Sequence, residues 1–127
     1  TFVLSAETFD AYYIRAQKAR ALIQRELDVA LSQCDLLAAP TSPVPPFRLG
    51  ERTADALQMY LADIFTLSLN LAGHCGLSLP AGFDGDGLPV GLQLWAGAFQ
   101  EERLLQGAWA LEQALAIDHA RRPALSV

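Results

Sequence analysis

One carboxylate, Asp63, interrupts an otherwise uncharged and mostly apolar run from Ala56 to Phe83. The local sequence is Met59-Tyr60-Leu61-Ala62-Asp63-Ile64-Phe65-Thr66. A carboxylate among large apolar side chains is costly to bury unless a cation or several hydrogen-bond donors meet it. Nothing nearby in sequence can neutralise Asp63. If Asp63 is buried, its partner comes from a distant part of the fold or from a ligand. Residue types leave two readings open. Asp63 is a structural ion pair or half-exposed acid, or it receives a positively charged group of a substrate.

No complete catalytic set accompanies it. Ser78, His74 and Asp63 can be assembled into a triad on paper, but Gly76-Leu77-Ser78-Leu79-Pro80 lacks the second glycine of a nucleophile elbow. His74-Cys75 are sequence neighbours, which seldom point at each other. The histidines and cysteines show no zinc-ligand spacing. Asp84-Gly85-Asp86-Gly87 has too few acids in register for a calcium loop. Walker and dinucleotide glycine patterns are absent. Lys18, the only lysine, sits among other charges in a helical pattern, so it does not read as a desolvated base.

The elements that would position Asp63 follow from periodicity. Ser5 is a candidate N-cap, with Glu7 and Asp10 near the positive helix end. Phe9, Tyr12, Tyr13, Ala16, Ala19, Ile23, Leu27, Ala30 and Leu31 then recur at helical spacing, with Arg15, Lys18 and Arg25 on another face. Asp35 to Ala39 reads as a buried strand that stops at Pro40, before the rigid loop Pro40-Thr41-Ser42-Pro43-Val44-Pro45-Pro46. Thr53 can cap a second helix, with Asp55 in its first turn. That helix carries Leu57, Leu61, Ile64 and Leu71 on a buried face and ends before Gly73. Leu77 to Pro80 reads as a strand, Asp84 to Gly87 as a turn and Pro89 to Trp95 as the returning strand. Glu101 to Ile117 reads as a final helix with its stripe on Leu104, Leu105, Ala108, Leu111 and Leu115. The expectation is an α/β fold with a mixed sheet covered by helices, its two late strands antiparallel.

The 127 residues suit one domain or a piece of a larger one. The chain begins at Thr1 and has few strands, so a fragment of a longer protein is expected. An apolar share of 52% is ample for a core, and a net charge of −5 argues against a nucleic-acid surface built on overall charge. Cys34 and Cys75 have no paired spacing and read as cytosolic free thiols. Asn70, His74, Pro80 and the glycines between Ile64 and Phe83 argue against a membrane-spanning helix there.

The sequence resembles the C-terminal core of the amidase signature enzymes. The resemblance is carried by Gly87-Leu88-Pro89-Val90-Gly91-Leu92-Gln93-Leu94, by Leu77-Ser78-Leu79-Pro80-Ala81-Gly82 and by Asp35-Leu36-Leu37-Ala38-Ala39-Pro40-Thr41. Within that family, Asp10-Ala11-Tyr12-Tyr13 and Met59 to Thr66 followed by Asn70-Leu71-Ala72-Gly73 are similar to the A-type subunits of glutamyl-tRNA(Gln) amidotransferases. The resemblance implies a cytoplasmic, glutamine-hydrolysing subunit that supplies ammonia for amidation of Glu-tRNA(Gln) or Asp-tRNA(Asn). It implies B- and C-type partner subunits, with ATP and Mg2+ used by the partner and tRNA met through it. The family's two serines and lysine base belong to an N-terminal portion that this sequence does not contain, so no catalytic residue is expected in residues 1–127. Asp63 matches the family acid that holds the α-amino group of glutamine. The sequence departs from the family pattern at Glu7, Ala62, His74 and Cys75. The alternatives are another amidase signature hydrolase, or a non-catalytic module that binds a partner through its long first helix.

Overall fold

The computed structural model describes residues 12–50 and 56–117. Its elements are α1 (Ile14–Leu31), β1 (Leu37–Pro40), α2 (Ala56–Ala62), α3 (Ile64–Ala72), β2 (Cys75–Phe83), β3 (Pro89–Ala96) and α4 (Glu101–Leu115). The expected caps Ser5 and Thr53, with Glu7, Asp10 and Asp55, lie outside the described residues.

The three strands form one sheet in the order β1-β3-β2, and both pairings are antiparallel. β3 is central. Leu94 stands opposite Ala38 on one side and Leu77 on the other. Pro40 ends β1 opposite Leu92, and Pro80 lies opposite Gly91. Proline cannot donate to a ladder, and both prolines sit on the outer strands, where one edge needs no partner. The register slips between Pro80 and Gly82. The turn joining β2 to β3 is closed by Asp84, whose carboxylate accepts the backbone N–H of Asp86 at 3.0 Å and of Leu88 at 2.8 Å. Gly87 supplies the positive φ of 79°. The aspartate at the head of the turn thus serves the hairpin.

Alternation gives the sheet two unlike faces. Leu79, Leu94 and Ala96 are buried with Leu104 of α4, and Leu36, Cys75, Leu77, Leu92, Ala108 and Leu111 pack around them. A leucine as buried as Leu94 or Leu104 contributes roughly 1.5–3 kcal/mol by leaving water. The opposite face carries Gly76, Ser78, Gln93 and Trp95, and α3 lies across it. Gly76 permits that approach, because a Cβ there would collide with Leu69 Cδ2 of α3 and stand 3.1 Å from the Leu94 carbonyl. Helix α1 packs on α3, where Arg20 Nε donates to the Leu71 carbonyl at 2.7 Å. The inward stripe of α1 is Ile23, Leu27, Ala30 and Leu31, while Arg15, Lys18 and Arg25 are exposed.

The structure corrects the expectation of a single buried helix ending before Gly73. The helix breaks at Asp63, which adopts φ −96° and ψ 0° between α2 and α3. Aspartate favours helix starts over helix interiors. Residues expected in a buried stripe are exposed among the described residues. Leu57 is 67% exposed, and Leu61, Ile64 and Leu71 are between 42% and 49%. Sheet and α1 cover only part of α3, through Leu69 and Ala72, so a stripe drawn along the whole segment overstates its burial. At the end of α3, Gly73 takes φ 75° and closes the helix through its N–H to Leu69. Glu101 to Ile117 shortens to Glu101–Leu115, with Ala116 as the left-handed cap.

Candidate functional site

Asp63 is exposed, and no ion pair involves its carboxylate among the described residues. Its backbone carbonyl is occupied at the start of α3, accepting from Thr66 N at 3.0 Å and Thr66 Oγ1 at 2.9 Å. Its side chain makes no capping hydrogen bond. The carboxylate is therefore not spent on the helix, although the helix N-terminus favours its charge. The backbone sits in the bridge region between α and β, which active-site residues often occupy.

The residues on either side of Asp63 are tied to the end of β1. Ser42 Oγ donates to the Ala62 carbonyl at 3.4 Å and accepts Val44 N at 3.3 Å. Gln93 Nε2 donates to the carbonyls of Phe65 and Pro40, both at 2.9 Å. Gln93 Oε1 accepts Trp95 Nε1 at 2.7 Å. Both amide hydrogens and the amide oxygen are used, and the partners fix which atom is which. Gln93 is only 4% exposed. Sequence reading did not select Gln93. A polar residue between Leu92 and Leu94 in a central strand was the available signal.

Ser78, His74 and Asp63 do not assemble as a triad. Ser78 Oγ is 2.6 Å from Thr41 Oγ1. A Cβ at Gly91 would stand 2.9 Å from Thr41 Oγ1 and 3.2 Å from Ser78 Oγ, so glycine makes room for the hydroxyl pair. His74 belongs to the α1–α3 contact. Its side chain is 3% exposed, with Nε2 3.2 Å from Asp28 Oδ1. The distance is that of an ion pair, while neither imidazole nitrogen has hydrogen-bond geometry with a described partner. Cys75 faces the other way and donates to the Gly97 carbonyl at 3.1 Å. Cys34 is exposed, and the two thiols are not bonded to each other.

A cleft of about 540 Å³ opens beside the proline-rich loop, between Thr41–Phe47 and Pro89–Gly91. Asp63 is not among the residues lining it. Among the described residues, no group of three or more His, Cys, Asp or Glu side chains could hold a metal ion. No described helix is long and apolar enough to cross a membrane.

The profile of the Amidase family matches residues 1–105. The chain belongs to the amidase family. Among its amidase relatives, the A-type subunit of glutamyl-tRNA(Gln) amidotransferase from Geotalea daltonii is 52% identical over 125 residues, covering 98% of this chain and 26% of the relative. Its counterpart from Ralstonia nicotianae is 53% identical over 124 residues, covering 98% and 25%. The crystal structure of the Thermotoga maritima counterpart superposes with a TM-score of 0.78 at 44% identity, over 88% of this chain and 24% of that one. A 6-aminohexanoate cyclic dimer hydrolase superposes with a TM-score of 0.74 at 30% identity, over 94% and 26%. The chain thus spans about a quarter of the length of its curated relatives.

Proposed function

We propose that this chain is the C-terminal part of the glutamine-hydrolysing subunit of a tRNA-dependent amidotransferase, and that Asp63 receives the α-ammonium of glutamine. The observation that carries the reading is the level of likeness. Identity stands at 52% to a relative named as that subunit, against 30% to an amidase family member named as a cyclic dimer hydrolase. The state of Asp63 supports the assignment. Its carboxylate is exposed, set at a helix start and uncommitted to the helix or to a described cation.

An ammonium brought to that carboxylate forms a charge-assisted hydrogen bond, shorter and stronger than a neutral one. It orients the substrate from the end remote from the amide that is cleaved. Hydrolysis of that amide by water yields glutamate and ammonia. The nucleophile and its base come from the portion of the protein outside residues 1–127. The ammonia is consumed by a B-type subunit, held with a C-type subunit, that uses ATP and Mg2+ to amidate Glu-tRNA(Gln) or Asp-tRNA(Asn) in the cytoplasm. This chain supplies no residues for ATP or Mg2+ in that scheme.

The test is reconstitution of the full-length protein with B- and C-type subunits. Glutamine-dependent conversion of Glu-tRNA(Gln) to Gln-tRNA(Gln), requiring ATP and Mg2+, is the expected result. Hydrolysis of simple amides with no use of glutamine would place the protein with the family's other hydrolases.

A further inference from the structure

We infer that Gln93 is a positioning residue for substrate recognition, acting through Asp63; the inference rests on the reading of Asp63 as the ammonium receptor. Asp63 lies at a break between two helices and its side chain makes no capping bond that would fix its place. Its position is set by its neighbours. On the N-terminal side, the Ala62 carbonyl is held by Ser42 at 3.4 Å, long for a hydroxyl donor. On the C-terminal side, the Phe65 carbonyl is held by Gln93 at 2.9 Å. The same amide nitrogen holds the Pro40 carbonyl at 2.9 Å. One side chain in the central strand therefore pins the first turn of α3 to the end of β1.

Three features make this more than a satisfied buried amide. The bonds to Pro40 and Phe65 reach residues 53 and 28 positions away, so they join separate elements. Trp95 Nε1 donates to the amide oxygen and fixes which edge of the amide faces the two carbonyls. The donors meet carbonyls that already belong to a strand end and a helix, so the link adds position where the backbone ladder is complete. A shift of a fraction of an ångström at Phe65 carries to Asp63 two residues away. Charge-assisted bonds weaken steeply with such displacements.

The experiment uses the full-length protein with its partner subunits and the variants Gln93→Glu, Gln93→Leu, Asp63→Asn and the double variant Gln93→Leu/Asp63→Asn. A glutamate keeps the acceptor for Trp95 and loses both donors. Each enzyme is assayed on glutamine and on 4-carbamoylbutanoate, which keeps the amide and carboxylate of glutamine and lacks its α-ammonium. Gln93→Glu and Gln93→Leu are expected to raise KM for glutamine about tenfold, the scale of one or two lost hydrogen bonds. Their KM for 4-carbamoylbutanoate and their kcat are expected to stay within about twofold of wild type, the signature of lost binding with intact chemistry. In the Asp63→Asn background, Gln93→Leu is expected to add nothing on glutamine. Equal losses on both substrates, or a Gln93 effect that multiplies with Asp63→Asn, would overturn the inference and leave Gln93 as a general structural residue. If Asp63→Asn alone leaves KM for glutamine unchanged, the reading of Asp63 itself fails, and that result is distinct from either Gln93 outcome.

Discussion

Gly76→Ala tests whether the seat of α3 on the sheet is as close as the structure shows. A Cβ at position 76 would overlap Leu69 Cδ2, lie 3.1 Å from the Leu94 carbonyl and 3.4 Å from Leu69 Cγ. The first contact is the far end of a flexible side chain and can move. The second is backbone of the central strand and moves only with the sheet. Overpacking of this kind costs about 1–3 kcal/mol. Each kcal/mol lowers the melting temperature of a domain this size by roughly 4 °C. The expected drop is therefore about 4–12 °C in a thermal melt followed by circular dichroism, at unchanged heating rate. Leu69→Ala removes the colliding group but also loses packing. The double variant Gly76→Ala/Leu69→Ala should accordingly be less destabilised than the two single losses added together, by about 0.5–2 kcal/mol. A Gly76→Ala protein that melts within about 1 °C of wild type, on the scale expected of such shifts, would refute the reasoning. So would strict additivity with Leu69→Ala, because the two atoms would then not be in contact.

The same geometry gives further expectations. His74→Ala should lower stability by about 2–3 kcal/mol through lost packing at a buried site, whereas Asp28→Asn should cost less than about 1 kcal/mol because its carboxylate is mostly in water; paired thermal melts decide this, and equal losses would mean that the ion pair dominates. Cys34 should react promptly with a thiol reagent in the folded protein, while Cys75, which donates to Gly97 within the sheet's packed face, should react only after unfolding. Two thiols should be titrated after denaturation without reductant, and fewer would mean a disulfide. Residues 1–127 expressed alone should release no ammonia from glutamine above a heat-inactivated control.

The hairpin was the most legible part of the fold. Asp84 to Gly87 carries its turn chemistry in adjacent residues, and the apolar strands on either side are short and local. The final helix was legible for the same reason: Leu104, Ala108 and Leu111 repeat at the helical period and pack on the sheet, whereas Leu105 and Leu115 of the expected stripe are exposed. The break at Asp63 was not. Leu57, Leu61 and Ile64 continue the helical spacing across it, and only the aspartate's preference for helix starts marked the interruption. Periodicity along that segment reports which residues share a face, not how much of that face another element covers. Asp63 stood out because charge is rare in an apolar run. Gln93 did not, because its role depends on Pro40 and Phe65, whose proximity arises only when the sheet and α3 come together. The antiparallel order β1-β3-β2 likewise rests on a long-range pairing that no short sequence window contains.

The central claim is that the charge of Asp63 serves substrate binding and not folding. Asp63→Asn in the full-length enzyme keeps the shape and removes the charge. The decisive measurement is kcat/KM for glutamine alongside the melting temperature of the same preparation. The melting temperature is expected to change little, with a loss no larger than the roughly 0.3–1 kcal/mol of an exposed acid at a helix N-terminus. The expected loss in transition-state stabilisation is about 2–5 kcal/mol, the range for a charge pair that is buried in the bound complex and loses one partner. A large fall in melting temperature with glutamine turnover per folded molecule intact would contradict it, and would make Asp63 a structural acid.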